Sequence, residues 1–186
     1  MGLFSAIGDA LKSAFTAVSS VLQDSPLMQK LLPALAVIIP PPMDAIAIVV
    51  LQVIGEALGT KDSPDELGWQ MQKSDMKPED FNSFKEYKEY LDEHYPFDSE
   101  DFNNMTPEEK TVCRYVGTAG MMQELKEANG FDITPETLGK LAASSVFAGI
   151  ASNLASPEES EKASAAVSEG VAENSAEAIV AHLEDN

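Results

Sequence analysis

Cys113, His94, His182 and the acidic run from Asp98 to Glu109 are the residues of this chain whose types could do chemistry. A thiol beside an imidazole pairs a nucleophile with its general base. Cys113 has no spacing signature tying it to His94, however, and no CxxC partner for redox or metal chemistry. The two histidines stand far apart in the chain without a second ligand at metal-binding spacing, so each reads as a solvated side chain. In Asp98-Ser99-Glu100-Asp101-Phe102-Asn103 a calcium loop would need an oxygen ligand at its fifth position and glycine at its sixth; Phe102 and Asn103 stand there instead. Motifs of the GxSxG, HExxH, P-loop and dinucleotide types are absent from the sequence. The carboxylates then read as solvated helix faces. The expectation is a non-enzymatic protein without catalytic residues, metal or cofactor.

Charge narrows the partners. The 186 residues hold 31 acids against 12 bases, a net charge of −19, and Arg114 is the sole arginine. Such a surface repels phosphates and offers almost no bidentate clamp, which excludes nucleic acid and makes a basic protein a fitting partner. One cysteine cannot close an intramolecular disulfide, so a reducing or cysteine-indifferent compartment fits. Met1 to Ser20 carries no basic n-region and no A-x-A-like site, so no cleaved secretory signal is expected. The expected location is intracellular: cytoplasm, a peripheral or inner membrane position, or the inside of a virion. Gly2 stands where N-myristoylation would occur, but the serine is one position early and Ala6 takes its place.

The elements that would position these residues are helices. Ser25-Pro26, Ser63-Pro64, Thr106-Pro107, Thr134-Pro135 and Ser156-Pro157 are each a helix start, with a hydroxyl for an orphan amide and proline where no N–H is needed. Ser63 with Glu66, Thr106 with Glu109, Ser156 with Glu159 and Ser83 with Glu86 also make capping boxes. The fold class is therefore all-α: an apolar N-terminal helical hairpin followed by an acidic helical bundle.

From Leu3 to Leu22 the spacing of Leu3, Phe4, Ile7, Leu11, Phe15, Val18 and Leu22 predicts an amphipathic helix. Leu31 to Met43 carries no charge, and Pro40-Pro41-Pro42 must end the helix running through Ile39. Asp44 can cap the next helix, Ala45 to Leu58, which Gly59 closes. The resulting arms are about ten to fourteen residues, roughly 15–21 Å, against a hydrocarbon core of ~30 Å, so neither spans a bilayer alone. A helix apolar all round must be buried in something, either a packed core or subunit interface, or a membrane. The contact residues for membrane or interface are Leu3, Phe4, Ile7, Leu11 and Phe15 on the first helix. On the hairpin they are Leu35, Val37, Ile38, Ile39, Ile46, Ile48, Val49, Val50, Leu51, Val53 and Ile54. Asp44 favours a wet hairpin tip or shallow re-entrant loop over a bilayer centre.

At Thr60 the composition changes. Residues 1–59 hold four acids and two bases, a net −2, which leaves −17 for residues 60–186. With Lys61 to Pro64 as boundary, the expected organisation is residues 1–59 (amphipathic helix plus hairpin), 60–155 (acidic helical domain) and 156–186 (C-terminal amphipathic helix). Trp69, Phe81, Phe84, Tyr87, Tyr90, Tyr95, Phe97 and Phe102 supply aromatic core. Helices are predicted from Pro107 to about Ala128, from Pro135 to about Leu154 and from Pro157 to His182, with Asn129-Gly130 as a C-cap.

Gly2-Leu3-Phe4-Ser5-Ala6-Ile7-Gly8 resembles the glycine-rich apolar openings of membrane-active and viral fusion peptides. That start, the proline-broken apolar hairpin, then Asp65-Glu66-Leu67 and Lys77-Pro78-Glu79-Asp80-Phe81, resemble the small membrane-active helical proteins of bacteriophages and mobile elements, holin-like or ejected from the virion. The resemblance implies membrane association or self-assembly through residues 1–59, with lipid or the chain's own subunits as partners and a homo-oligomer as the product. Short arms and a long acidic half depart from an ordinary holin, so it does not extend to autonomous pore formation.

Overall fold

A computed structural model describes residues 20–185 of the chain. The amphipathic-helix positions Leu3, Phe4, Ile7, Leu11 and Phe15 lie outside the described residues. Among those described, the fold is all-helical and without strands: α1 (Ser20–Gln23), α2 (Pro26–Ile38), α3 (Met43–Leu58), α4 (Pro64–Lys73), a 3-10 turn (Pro78–Asp80), α5 (Phe84–His94), α6 (Ser99–Asn104), α7 (Pro107–Asn129), α8 (Pro135–Ala142), α9 (Ser145–Ala151), α10 (Pro157–Ala172) and α11 (Ala176–Asp185).

The Ser/Thr-Pro starts all open helices, but their caps are built in different ways. Thr106 and Glu109 close a full box, with Thr106 N–H to the Glu109 carboxylate at 2.7 Å and Glu109 N–H to Thr106 Oγ1 at 3.2 Å. Ser156 and Glu159 do the same at 2.7 and 3.2 Å. Two expected boxes differ. Ser63 makes no side-chain cap bond, and Glu86 turns to the Asn82 N–H at 3.2 Å while Ser83 still accepts from Glu86 N–H. At α2 the cap comes from far away in sequence. Glu79 receives the Ser25 hydroxyl, shared between its two oxygens at 2.8 Å each, and the Leu27 N–H at 2.8 Å. A carboxylate at a helix start satisfies orphan amides and opposes the dipole.

The chain divides into two compact units, neither contiguous in sequence. One comprises Met1–Val37 and Ser63–Gly120, the other Ile38–Asp62 and Met121–Asn186. The break after Asp62 falls within the Lys61–Pro64 step. The rest of the division runs otherwise than residues 1–59, 60–155 and 156–186, because both units draw on the charge-poor segment for apolar helix. The two expected hairpin arms accordingly belong to different units, α2 to the first and α3 to the second.

In the first unit Met28, Leu32 and Leu35 of α2 are buried, as are Leu67, Trp69 and Met71 of α4 and Phe84, Tyr87 and Leu91 of α5. The aromatic residues meet as rings: Phe84 edge-on to Tyr87 at 5.6 Å, Phe81 against Tyr87 at 5.3 Å, and Trp69 edge-on to Phe97 at 5.6 Å. α4 and α7 approach backbone to backbone through glycine. A Cβ on Gly68 would collide with the Cys113 carbonyl, and one on Gly117 with the Pro64 carbonyl. Only hydrogen at both sites lets the helices come this close.

In the second unit α3 is the central helix, packed against α8, α9 and α10, while α10 pairs with α11. Gly59 closes α3 in the left-handed region (φ 88°), with Thr60 N–H returning to the Gly55 carbonyl at 2.8 Å. Two helices expected as continuous are broken. The Pro135–Leu154 run splits into α8 and α9, since Ser144 takes an extended conformation (ψ 131°) and starts a new helix. Serine favours such caps over helix interiors. The Pro157–His182 run folds back on itself: Asn174 adopts φ 52°, a region asparagine tolerates, and Ser175 N–H bonds the Gly170 carbonyl at 2.9 Å. The turn is tied down by Asp132, whose N–H donates to the Asn174 carbonyl and whose carbonyl accepts from Ala176 N–H, both at 3.0 Å.

Candidate functional site

A connected set of polar and titratable side chains in the first unit lies where the loop after α4 meets the end of α5. Tyr90 and Tyr95 both donate their hydroxyls to one oxygen of Asp75, at 2.6 and 2.9 Å. Asp75 N–H in turn donates to the Tyr95 hydroxyl at 3.2 Å. One turn beyond Tyr90, His94 stacks on its ring at 4.3 Å, and its Nδ1 sits 3.0 Å from the Tyr90 carbonyl. Because a carbonyl only accepts, Nδ1 carries the proton there, which leaves Nε2 as the basic nitrogen when the ring is neutral. Behind the cluster Gln70 donates to Asp92 at 3.0 Å and to the Tyr95 carbonyl at 3.1 Å, and Lys88 pairs with Asp92 at 2.6 Å.

The electrostatics fix each proton. The Tyr90 and Tyr95 hydroxyls hold the Asp75 carboxyl below the usual carboxylate range. The same bond to Asp75 pushes the Tyr90 phenol up to about 12. An ionised Asp75 carboxylate and the tightly protonated Tyr90 phenol neither accept nor release a proton near neutral pH, so the pair joins loop to helix and does not act as an acid–base pair.

Cys113 has the wrong environment for a nucleophile. Burial, with Asp65 nearby, pushes its thiol up to about 12, and its sulfur meets Gln72 Nε2 at 2.9 Å and Met105 Sδ at 3.7 Å. The thiolate is the reactive species, and this site disfavours it. In the acidic run, Asp98 accepts from the N–H groups of Glu100 and Asp101, both at 3.0 Å. Asp101 accepts from Trp69 Nε1 and pairs with Lys73, both at 2.8 Å. These carboxylates serve as caps and as a clamp on the Trp69–Phe97 edge. Among the described residues, none of the His, Cys, Asp or Glu side chains gather as a metal-binding group.

Comparison with protein-family models, curated proteins and solved structures finds no match.

The contact residues read from the sequence divide by environment. Leu35 is buried in the first unit, and Ile39, Ile48, Val50, Leu51 and Ile54 are buried in the second. Ile38, Ile46, Val49 and Val53 are half-buried. Val37 is 80% exposed. Asp44 sits in the first turn of α3 at 6% exposure, not at a wet tip, because the helix starts at Met43, two residues before the expected Ala45, and carries the carboxylate inward. At the other end of α3, a concavity of about 600 Å³ is bordered by Gln52, Glu56, Gly59, Thr60, Lys61 and Asp62. It is open, with polar and apolar lining in similar measure. The Tyr90–His94 stack was open to sequence reasoning through its i,i+4 spacing; Asp75, distant in sequence, was not.

Proposed function

We propose that this chain is a non-enzymatic interaction protein, in which the apolar segments of α2 and α3 are core and the acidic helical surface engages a basic protein partner. The observation that carries the reading is the burial of Leu35, Ile39, Val50, Leu51 and Ile54, each at 1% exposure or less. A membrane-inserted state would have to withdraw these side chains from the interiors they fill, at about 1.5–3 kcal/mol apiece. The chain's excess of acids, 31 to 12 bases, offers complementarity to a positive partner and a fast, salt-sensitive encounter.

A second reading keeps residues 1–59 as a membrane or self-assembly element of a phage-like protein. It is favoured by one observation. Among the described residues no single helix is long and apolar enough to cross a membrane, but Pro26–Ile38 and Met43–Leu58, bent at the proline break, pass that test as a pair by length and composition.

One experiment separates the two. The full chain is floated with zwitterionic liposomes and titrated calorimetrically against a panel of small basic proteins, each at low and high salt. The interaction reading expects no flotation and at least one complex whose affinity drops steeply with salt. Salt-insensitive flotation, with no basic protein bound, sinks it and leaves the membrane reading standing.

A further inference from the structure

Asp75 is fixed in place by groups that carry no charge. The Tyr90 and Tyr95 hydroxyls both bond its Oδ1, which fills the two lone pairs of that oxygen. Oδ2 takes no hydrogen bond among the described residues, and Asp75 is exposed. Elsewhere in the first unit Asp92 and Asp101 are held as well, but by Lys88 at 2.6 Å and Lys73 at 2.8 Å, which offset their charge. Among the described residues no lysine or arginine pairs with Asp75. The positive charge acting on it is that of His94 in its protonated form. The Tyr90 and Tyr95 rings, 6.2 Å apart and inclined at 56°, are half-buried, so aromatic surface borders the carboxylate.

The geometry points to Asp75 as the anchor for a lysine side chain of a basic partner protein, with the ammonium on Oδ2 and the methylene stem along the Tyr90 and Tyr95 rings. This rests on the interaction reading above and adds the place where contact is made. A net charge of −19 draws a basic protein to the chain; the choice of anchor and of side chain follows from local chemistry. A carboxylate already held by two phenols has little rotamer freedom left to lose when a cation arrives. One open oxygen suits a point charge, whereas the guanidinium fork of arginine is matched by two parallel acceptors. A long aliphatic stem covers apolar ring surface while its charged head stays with the carboxylate. Tyrosine is also enriched where interfaces concentrate their binding energy.

The test is an NMR titration of the full chain near neutral pH with n-butylammonium chloride, which is the lysine side chain without its backbone. Sodium chloride at equal ionic strength is the reference. The Tyr90, Tyr95 and His94 ring signals should shift and saturate with butylammonium, at several-fold lower concentration than with n-butylguanidinium. Asp75→Asn keeps a carbonyl oxygen for both phenols and removes the charge, and should weaken binding about tenfold or more, as for the loss of a charged hydrogen bond. Glu100→Gln removes the same charge from another exposed position of the first unit and should leave the titration unchanged. Ring signals that move no further than in sodium chloride overturn the proposal, as do equal losses in the two variants or tighter binding of the guanidinium. Calorimetry against the panel of basic proteins separates this failure from that of the interaction reading. A basic protein that binds the parent and Asp75→Asn equally removes the anchor and leaves the reading standing. Saturation by butylammonium without any basic protein bound removes the reading and leaves a cation site.

Discussion

Asp75 holds two phenols on a single carboxylate oxygen, so the pH behaviour of this cluster is set by Tyr90 at the alkaline end and by Asp75 at the acid end. The Tyr90 phenol is raised to about 12 in the folded chain against about 10 unfolded. A proton held more tightly when folded contributes stability in full below the unfolded value, and that contribution disappears as pH rises from about 10 through about 12. Asp75 works in the opposite sense: its lowered folded value contributes in full above the unfolded carboxylate range and is lost as pH falls from that range through the lower folded value. Tyr90→Phe should therefore flatten the alkaline decline of the melting temperature relative to the parent chain, with the profile near neutrality keeping its shape. Melting curves from pH 7 to 12 check this, and an unchanged alkaline limb counts against the cluster as drawn. Little of this was legible in the sequence. A carboxylate 15 residues from one phenol and 20 from the other leaves no local periodicity, because the loop that brings it back is defined only by packing.

At the scale of the element, the α4–α7 crossing is the most demanding contact in the first unit. Gly68→Ala or Gly117→Ala drives a methyl group into a carbonyl of the facing helix, and neither helix can yield without moving its own hydrogen-bonded backbone. A loss of about 3 kcal/mol is expected, the upper part of the overpacking range, or about 6–12 °C in melting temperature for a chain of this size. Gly149→Ala is the matched control, since a methyl there meets Ala155 at the ordinary distance of 3.5 Å, and calorimetry of the three variants separates the cases. Helix starts were the legible part of the fold. All five Ser/Thr-Pro pairs open helices, since proline and hydroxyl act through local geometry that tertiary context seldom overrides. The ends of α8 and α10 were less so. Ala142-Ala143-Ser144-Ser145 and Glu173-Asn174-Ser175 lack the proline or glycine that announces a stop, and packing chose where the chain bent. Leu35, Val50, Leu51 and Ile54 were recognised as residues needing cover, but a charge-free run reads alike whether lipid or protein provides it.

For the molecule as a whole, a net charge of −19 repels itself more in a compact fold than along an unfolded chain. Raising sodium chloride from low salt to about 0.5 M screens this repulsion. The melting temperature should rise by several degrees, of the order of the 2–4 °C that about 1 kcal/mol is worth at this length. A flat or falling response in differential scanning fluorimetry would mean that attractive pairs such as Lys88–Asp92 and Lys73–Asp101 outweigh the net charge. The second unit joins Ile38–Asp62 to Met121–Asn186, and this affects the order in which the chain can be made. α3 is complete at Leu58, while the helices that cover it, α8 to α10, run from Pro135 to Ala172. At roughly 5–20 residues per second on a ribosome, that apolar helix waits on the order of 10 s for its neighbours and stays without its cover until synthesis has passed residue 172.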